Sequence, residues 1–143
     1  MPMLGLAMMI LAGVSAAEAQ AGDCPNAVST VEINACLAGE LDRANAELHR
    51  YVMAAGKRVR QDSDGPGAAA GFDKAEAAWT AYREAECGAV YDYWSGGTIR
   101  GAMSLTCRID LTRAHTHRIW SLWLTYMDSM PPILPEPRTS AGR

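Results

Sequence analysis

Apolar residues recur at steps of three and four along most of this chain. The clearest run is Ile33, Leu37, Leu41, Ala44, Leu48, Tyr51, Ala55 and Val59. That period predicts a long helix with one buried face. Ser29 followed by Glu32 has the spacing of a capping box, in which hydroxyl and carboxylate each satisfy a free amide, so the helix is expected to begin there. Pro25 belongs to an irregular lead-in, because proline fits a first turn and not a helix interior. Asp62-Ser63-Asp64-Gly65-Pro66-Gly67 ends the run in a turn.

A second helix is predicted over about residues 70–93, with Phe72, Ala75, Trp79 and Tyr82 as its apolar stripe. Trp79 and Tyr82 are the expected core anchors, since their large rings bury area while their polar tips reach its margin. After Ser95-Gly96-Gly97-Thr98, a third helix is predicted from about Ile99 to Tyr126, with Thr98 as a candidate cap. Ile99, Met103, Cys107, Leu111 and Ala114 form its first stripe, and Ile119, Leu122, Trp123 and Tyr126 continue it. Trp120, Leu124 and Met127 widen the apolar end. That end either covers the open side of the bundle, the favoured reading, or forms a homodimer contact through the C-terminal helix. Pro131-Pro132 stops the helix, and residues 131–143 read as a flexible, Pro-rich tail. The fold class is all-α, a small antiparallel bundle of three long helices.

The start of the chain changes the picture of where it works. Residues 3–14 are almost entirely apolar, and Ala17-Glu18-Ala19 places small residues where a signal peptidase needs them. Residues 1–19 therefore read as a signal peptide, residues 20–130 as one helical domain and residues 131–143 as the tail. The apolar run is too short to span a bilayer well, so no stable membrane span is expected after cleavage. The formal charge is −3, or −2 without Glu18, which gives no bias toward nucleic acid.

All four cysteines, Cys24, Cys36, Cys87 and Cys107, follow the signal. An even count in an exported chain argues for two disulfides. Three pairings are open; Cys24–Cys36 and Cys87–Cys107 are favoured because each joins the flanks of one local turn. No cysteine pair has the close spacing of a structural zinc site. Asp62-Ser63-Asp64-Gly65 resembles the opening of a calcium loop, but Ala68-Ala69-Ala70 supplies none of the later oxygen ligands.

Other chemistry is sparse. His115 and His117, two positions apart, point to different helix faces and make a poor metal pair. No nucleophile with an oriented base emerges, so no catalytic residue, cofactor or metal is assigned. The remaining candidates are for contact with a protein partner. Tyr91, Tyr93 and Trp94 crowd the glycine turn; they either close the bundle end, the favoured reading, or form an exposed rim. Arg83 is expected chiefly as a structural fork to a carbonyl or carboxylate, with partner binding as the alternative. Arg83, Glu86, Tyr91 and Trp94 are thus the candidate partner-binding residues.

Several segments together resemble the DUF1311 family of small exported proteins, which includes the N-terminal domain of the lysozyme inhibitor LprI. They are Cys24 with Thr30-Val31-Glu32-Ile33-Asn34-Ala35-Cys36, then Asn45-Ala46-Glu47-Leu48-His49 near Tyr51, and Ala78-Trp79-Thr80-Ala81-Tyr82-Arg83-Glu84-Ala85-Glu86-Cys87. Gly96-Gly97-Thr98 and Cys107 followed by Leu111-Thr112 complete the pattern. His115 stands where relatives often carry Arg, and the stretch 120–134 is an addition. The resemblance implies an exported, disulfide-bearing helical module, in the periplasm or secreted; with no nucleophile–base or metal constellation in the sequence, a protein-binding module and not an enzyme is expected. Its partner would be a lysozyme or another envelope protein; a structural or assembly accessory of the envelope is the alternative.

Overall fold

The computed structural model describes residues 24–138. The signal-peptide reading of residues 1–19 and the last five residues of the tail lie outside the described residues. Those described form three α-helices and a π-helical turn, with no strand: α1 (Thr30–Asp62), α2 (Ala68–Tyr93), α3 (Arg100–Ile119), and the π turn Trp120–Leu124. Helix α3 packs on both α1 and α2, which touch each other less. The disulfides are Cys24–Cys36 and Cys87–Cys107, as the local-turn argument favoured.

Helix α1 starts as its sequence dictates. The Ser29 hydroxyl accepts from the Glu32 amide, and the Glu32 carboxylate accepts from the Ser29 and Val28 amides. Its stripe is inward, with Ala44, Leu48, Tyr51, Ala55 and Val59 all buried. Tyr51, Ala55 and Val59 join Phe72, Ile119 and Leu124 in one apolar core. Burying each of the larger side chains contributes about 1.5–3 kcal/mol before the entropy of ordering is counted. Gly56 sits where α1 meets α2: an added Cβ would lie 2.7 Å from Arg60 Nη1 and 3.4 Å from the Phe72 ring.

The inward faces of α2 and α3 differ from the apolar stripes. On α2 the residues turned toward the bundle are Phe72, Glu76, Trp79, Arg83 and Cys87, while Ala75 and Tyr82 are exposed. On α3, Ser104, Ile109, Thr112, Thr116 and Ile119 are buried, whereas Ile99 and Ala114 face solvent. The buried hydroxyls are satisfied: Thr112 donates to the Arg108 carbonyl, Thr116 to the Thr112 carbonyl and Ser104 to the Cys87 carbonyl. Thr112 and Thr116 bond their own helix and Ser104 bonds across to α2, so these short side chains bring little volume and leave no hydroxyl donor unpaired. Ile99, not Thr98, precedes α3, and no side chain caps it.

The chain beyond α3 covers the bundle. Leu124 is fully buried, and Trp123 meets the Phe72 ring edge-on at 5.7 Å. Arg58 donates to the Trp123 and Thr125 carbonyls at 2.6 and 2.7 Å, satisfying acceptors freed at the helix end. The tail then folds back. Tyr51 Oη donates to the Pro135 carbonyl at 2.6 Å, Trp120 Nε1 to the Leu134 carbonyl at 3.0 Å, and Pro137 is buried. Within the tail, Leu134, Pro135 and Pro137 thus lie against the bundle. Proline composition read as looseness, but the tail's carbonyls serve aromatic donors that need partners at the core margin.

Candidate partner-binding site

Residues 91–100 project at the joined end of α2 and α3, and every one is exposed. The Gly97 amide donates to the Trp94 carbonyl and the Ser95 amide to the Asp92 carbonyl, closing a tight turn. The Cys87–Cys107 bond clamps the two helices just below it. Tyr93 is 80% exposed, with its ring edge-on to Trp94 at 5.5 Å, and Tyr91 and Trp94 are each 37% exposed. Arg100 lies over the Tyr91 ring at 4.6 Å. These rings do not close the bundle end, as favoured from sequence. The disulfide already joins the helices there, and they flank the turn instead of filling a core.

A groove of about 730 Å³ opens beside this turn, between the start of α1, the end of α2 and the start of α3. Ala35, Ala38, Gly88, Gly101 and Leu105 make its apolar walls, and Asn34, Asp92 and Arg108 supply polar groups. Asn34 Oδ1 is buried with no hydrogen-bond partner. Gly101 permits that position: a Cβ there would stand 3.0 Å from Asn34 Nδ2. Arg108 is ion-paired with Glu84, which also accepts from Arg83. The Asp92 carboxylate has no ion-pair partner among the described residues.

The four sequence candidates separate. Tyr91 and Trp94 stand at the turn, with Tyr91 also lining the groove. Glu86 is exposed on α2, outside the groove lining. Arg83 turns inward, its side chain only 14% exposed. Its Nη1 donates to Asn45 Oδ1 and Thr112 Oγ1, each at 2.9 Å, and its guanidinium lies 5.0 Å from the Trp79 ring centre. It is the structural fork favoured from sequence, although it ties three helices together through an amide and a hydroxyl instead of capping a helix end.

Below the groove runs a polar seam. The His115 ring stacks on Trp79 at 3.9 Å, and its Nε2 lies 3.0 Å from a Glu76 carboxylate oxygen. Glu40, largely buried, accepts from Arg113 at 2.8 Å and is also paired with Arg43. These groups pair across the helices: Glu76 with His115, and Glu40 with Arg113 and Arg43. Among the described residues, no group of three His, Cys, Asp or Glu side chains is arranged to hold a metal ion. Nor is any helix among them long and apolar enough to cross a membrane.

Sequence reasoning did not single out Asn34, Gly88, Gly101 or Asp92. Asn34 appears there only within the Thr30–Cys36 segment. The cysteines held a further signal: bonding Cys87 to Cys107 requires both to face inward, which selects Phe72, Glu76, Trp79 and Arg83 as their companions on α2.

The description "Lysozyme inhibitor LprI" matches residues 22–118, more than half of the chain. An uncharacterized protein of Rhizobium meliloti (strain 1021) is 30% identical over 129 residues, covering 85% of this chain and 92% of that one. No solved structure matches. The matched segment takes in both disulfides, the aromatic turn and the groove, and the chain belongs to the LprI lysozyme inhibitor family.

Proposed function

We propose that this protein is an exported, lysozyme inhibitor-like binding module that acts by occlusion and not by catalysis. The observation that carries the reading is the disulfide-clamped turn at residues 91–100, which presents Tyr91, Tyr93 and Trp94 to solvent in a chain of this family. Aromatic and arginine side chains dominate the binding energy of protein interfaces, and here they stand on a rigid projection that requires little ordering on contact. A glycosidase cleft is concave and works through two carboxylates, so a projecting turn suits it in shape. The weakly acidic chain favours encounter with a basic lysozyme. Its place of action is the periplasm or the medium outside the cell.

The test is inhibition of a panel of lysozymes by the oxidised protein lacking residues 1–19. Saturable 1:1 inhibition, weakened by Tyr93→Ala or Trp94→Ala, is the expected outcome. Failure to bind any lysozyme type sinks the reading.

A second reading, an envelope accessory protein, is favoured by a separate patch. Leu122, Met127, Met130 and Ile133 are exposed near the docked tail. Exchanging Leu122 and Met127 for Ser tests it by loss of a native complex. Truncation after Arg118 would not, because it removes buried Leu124 from the core.

A further inference from the structure

We infer that the bundle face bearing Tyr51, His117 and Trp120 is a recognition site for a proline-rich protein segment, and that residues 133–137 of this chain are its resident ligand. Four consecutive tail residues each make one polar contact with the rest of the protein. The Ile133 amide donates to the Leu124 carbonyl at 2.8 Å, Trp120 Nε1 to the Leu134 carbonyl and Tyr51 Oη to the Pro135 carbonyl. His117 Nε2 lies 3.1 Å from Glu136 Oε1. Leu134 packs against the apolar core and Pro137 is buried, while Ile133, Pro135 and Glu136 stay exposed. Aromatic-lined grooves hold proline-rich peptides in this way, with spaced side chains as anchors and aromatic donors on the carbonyls. Pro135 and Pro137 have no amide donor and are already restricted in φ, so ordering such a segment costs little entropy.

The segment is held as a ligand is held, not as a layer of the fold. It belongs to no helix or strand. The buried cluster of Tyr51, Ala55, Val59, Phe72, Ile119 and Leu124 contains none of its residues. Residues 127–130, which lead to it, are all exposed, so its release breaks no helix. The family match ends at residue 118, before both Trp120 and the segment. A short tether keeps the tail at high effective concentration, so in the isolated chain it fills the site. The occupant that exchanges with it is a segment of the same chemistry on a partner protein: a leucine followed directly by proline, with a second proline two residues further on. Helix α3 separates Trp120 from the aromatic turn by its full length, so the inference is independent of the lysozyme reading.

The test uses the oxidised protein lacking residues 1–19, with its tail in place. Leu134→Ser combined with Pro137→Ser removes both anchors and leaves every bundle residue unchanged. The readout is the Trp120 indole Nε1–H resonance in isotope-labelled protein, with melting followed by circular dichroism as the check of folding. In the double variant this resonance should move away from its parent position. An unlabelled, acetylated peptide with the sequence of residues 131–138 should then return it, saturably and at one site. Adding Tyr51→Phe should weaken that binding about fivefold, by loss of one hydrogen bond. The parent protein should take up the same peptide more weakly than the double variant, because its own tail competes.

Equal binding of a scrambled peptide overturns the inference. So does a Trp120 resonance that stays in place in the double variant, or one that the peptide fails to restore. Loss of cooperative melting in the double variant overturns it as well, because the segment then belongs to the core. None of these results touches lysozyme inhibition, which the enzyme panel decides separately.

Discussion

The two ends of this bundle are held by different means. At the end formed by Tyr51, Val59, Phe72, Ile119 and Leu124, apolar side chains fill an interior and the tail straps over it. At the other end, every one of residues 91–100 is exposed, and two disulfides hold the flanking segments. The difference separates a packed end from the end proposed for recognition. A covalent clamp restricts the unfolded chain whatever its neighbours are, so the clamped end can leave aromatic rings in water, where a purely packed end would draw them inward.

The largest break in that contrast is expected at the packed end. Leu124→Ala removes a fully buried side chain and should cost about 2–5 kcal/mol in urea unfolding. At the clamped end, replacing Cys87 and Cys107 together by Ala should cost about 3 kcal/mol, from the loss of a 20-residue loop constraint. A cost near zero would mean the turn is held by packing after all.

The seam between the ends comes next. Arg83→Met leaves Asn45 and Thr112 without their shared donor and should cost about 1–3 kcal/mol. If Arg83 instead served a partner, the variant would keep its stability and lose only binding.

Smaller still is the start of α1. Ser29→Ala should cost about 1 kcal/mol by removing the cap. The Ser29 amide, then the Val28 amide and the Ser29 hydroxyl, hold the Glu32 carboxyl below its ordinary value. Since the folded state lowers this value, the cap's contribution is complete above the ordinary carboxylate range and lost as pH falls through the lowered one. Acid titration of the Ser29→Ala variant should therefore show a shallower loss of stability than the parent. The least effect on stability belongs to the turn itself. Tyr93→Ala should stay within about 0.5 kcal/mol of the parent, because its ring is mostly in solvent.

What could be read from the chain follows the same division. Helix α1 was legible because its buried face is apolar throughout, from Ala44 to Val59, and because Ser29 and Glu32 mark its start. Helices α2 and α3 were legible as helices but not in rotation. Hydrophobic periodicity treats Arg83, Glu76, Ser104, Thr112 and Thr116 as solvent-facing, yet here they turn inward: Arg83 donates to Thr112, Glu76 meets His115, and the hydroxyls of Ser104, Thr112 and Thr116 donate to backbone carbonyls. Tyr82, chosen as an anchor by its size, is 51% exposed. Of the candidate site, the aromatic turn was visible because its rings crowd a glycine pair. The groove was not, since its walls come from three helices and its defining feature, the unpaired Asn34 oxygen, exists only once they are assembled.

The connectivity of the disulfides bears on how the chain matures. Each cysteine is bonded to its nearest neighbour in sequence, the first to the second and the third to the fourth. A polypeptide that emerges from a translocation channel amino end first exposes Cys36 before Cys87 and Cys107. An oxidant that joins thiols in order of appearance then produces the native bonds directly, with no mispaired species to reshuffle. On the proposed export, the aromatic turn is thus locked by the later of the two bonds, after α1 has its own link in place.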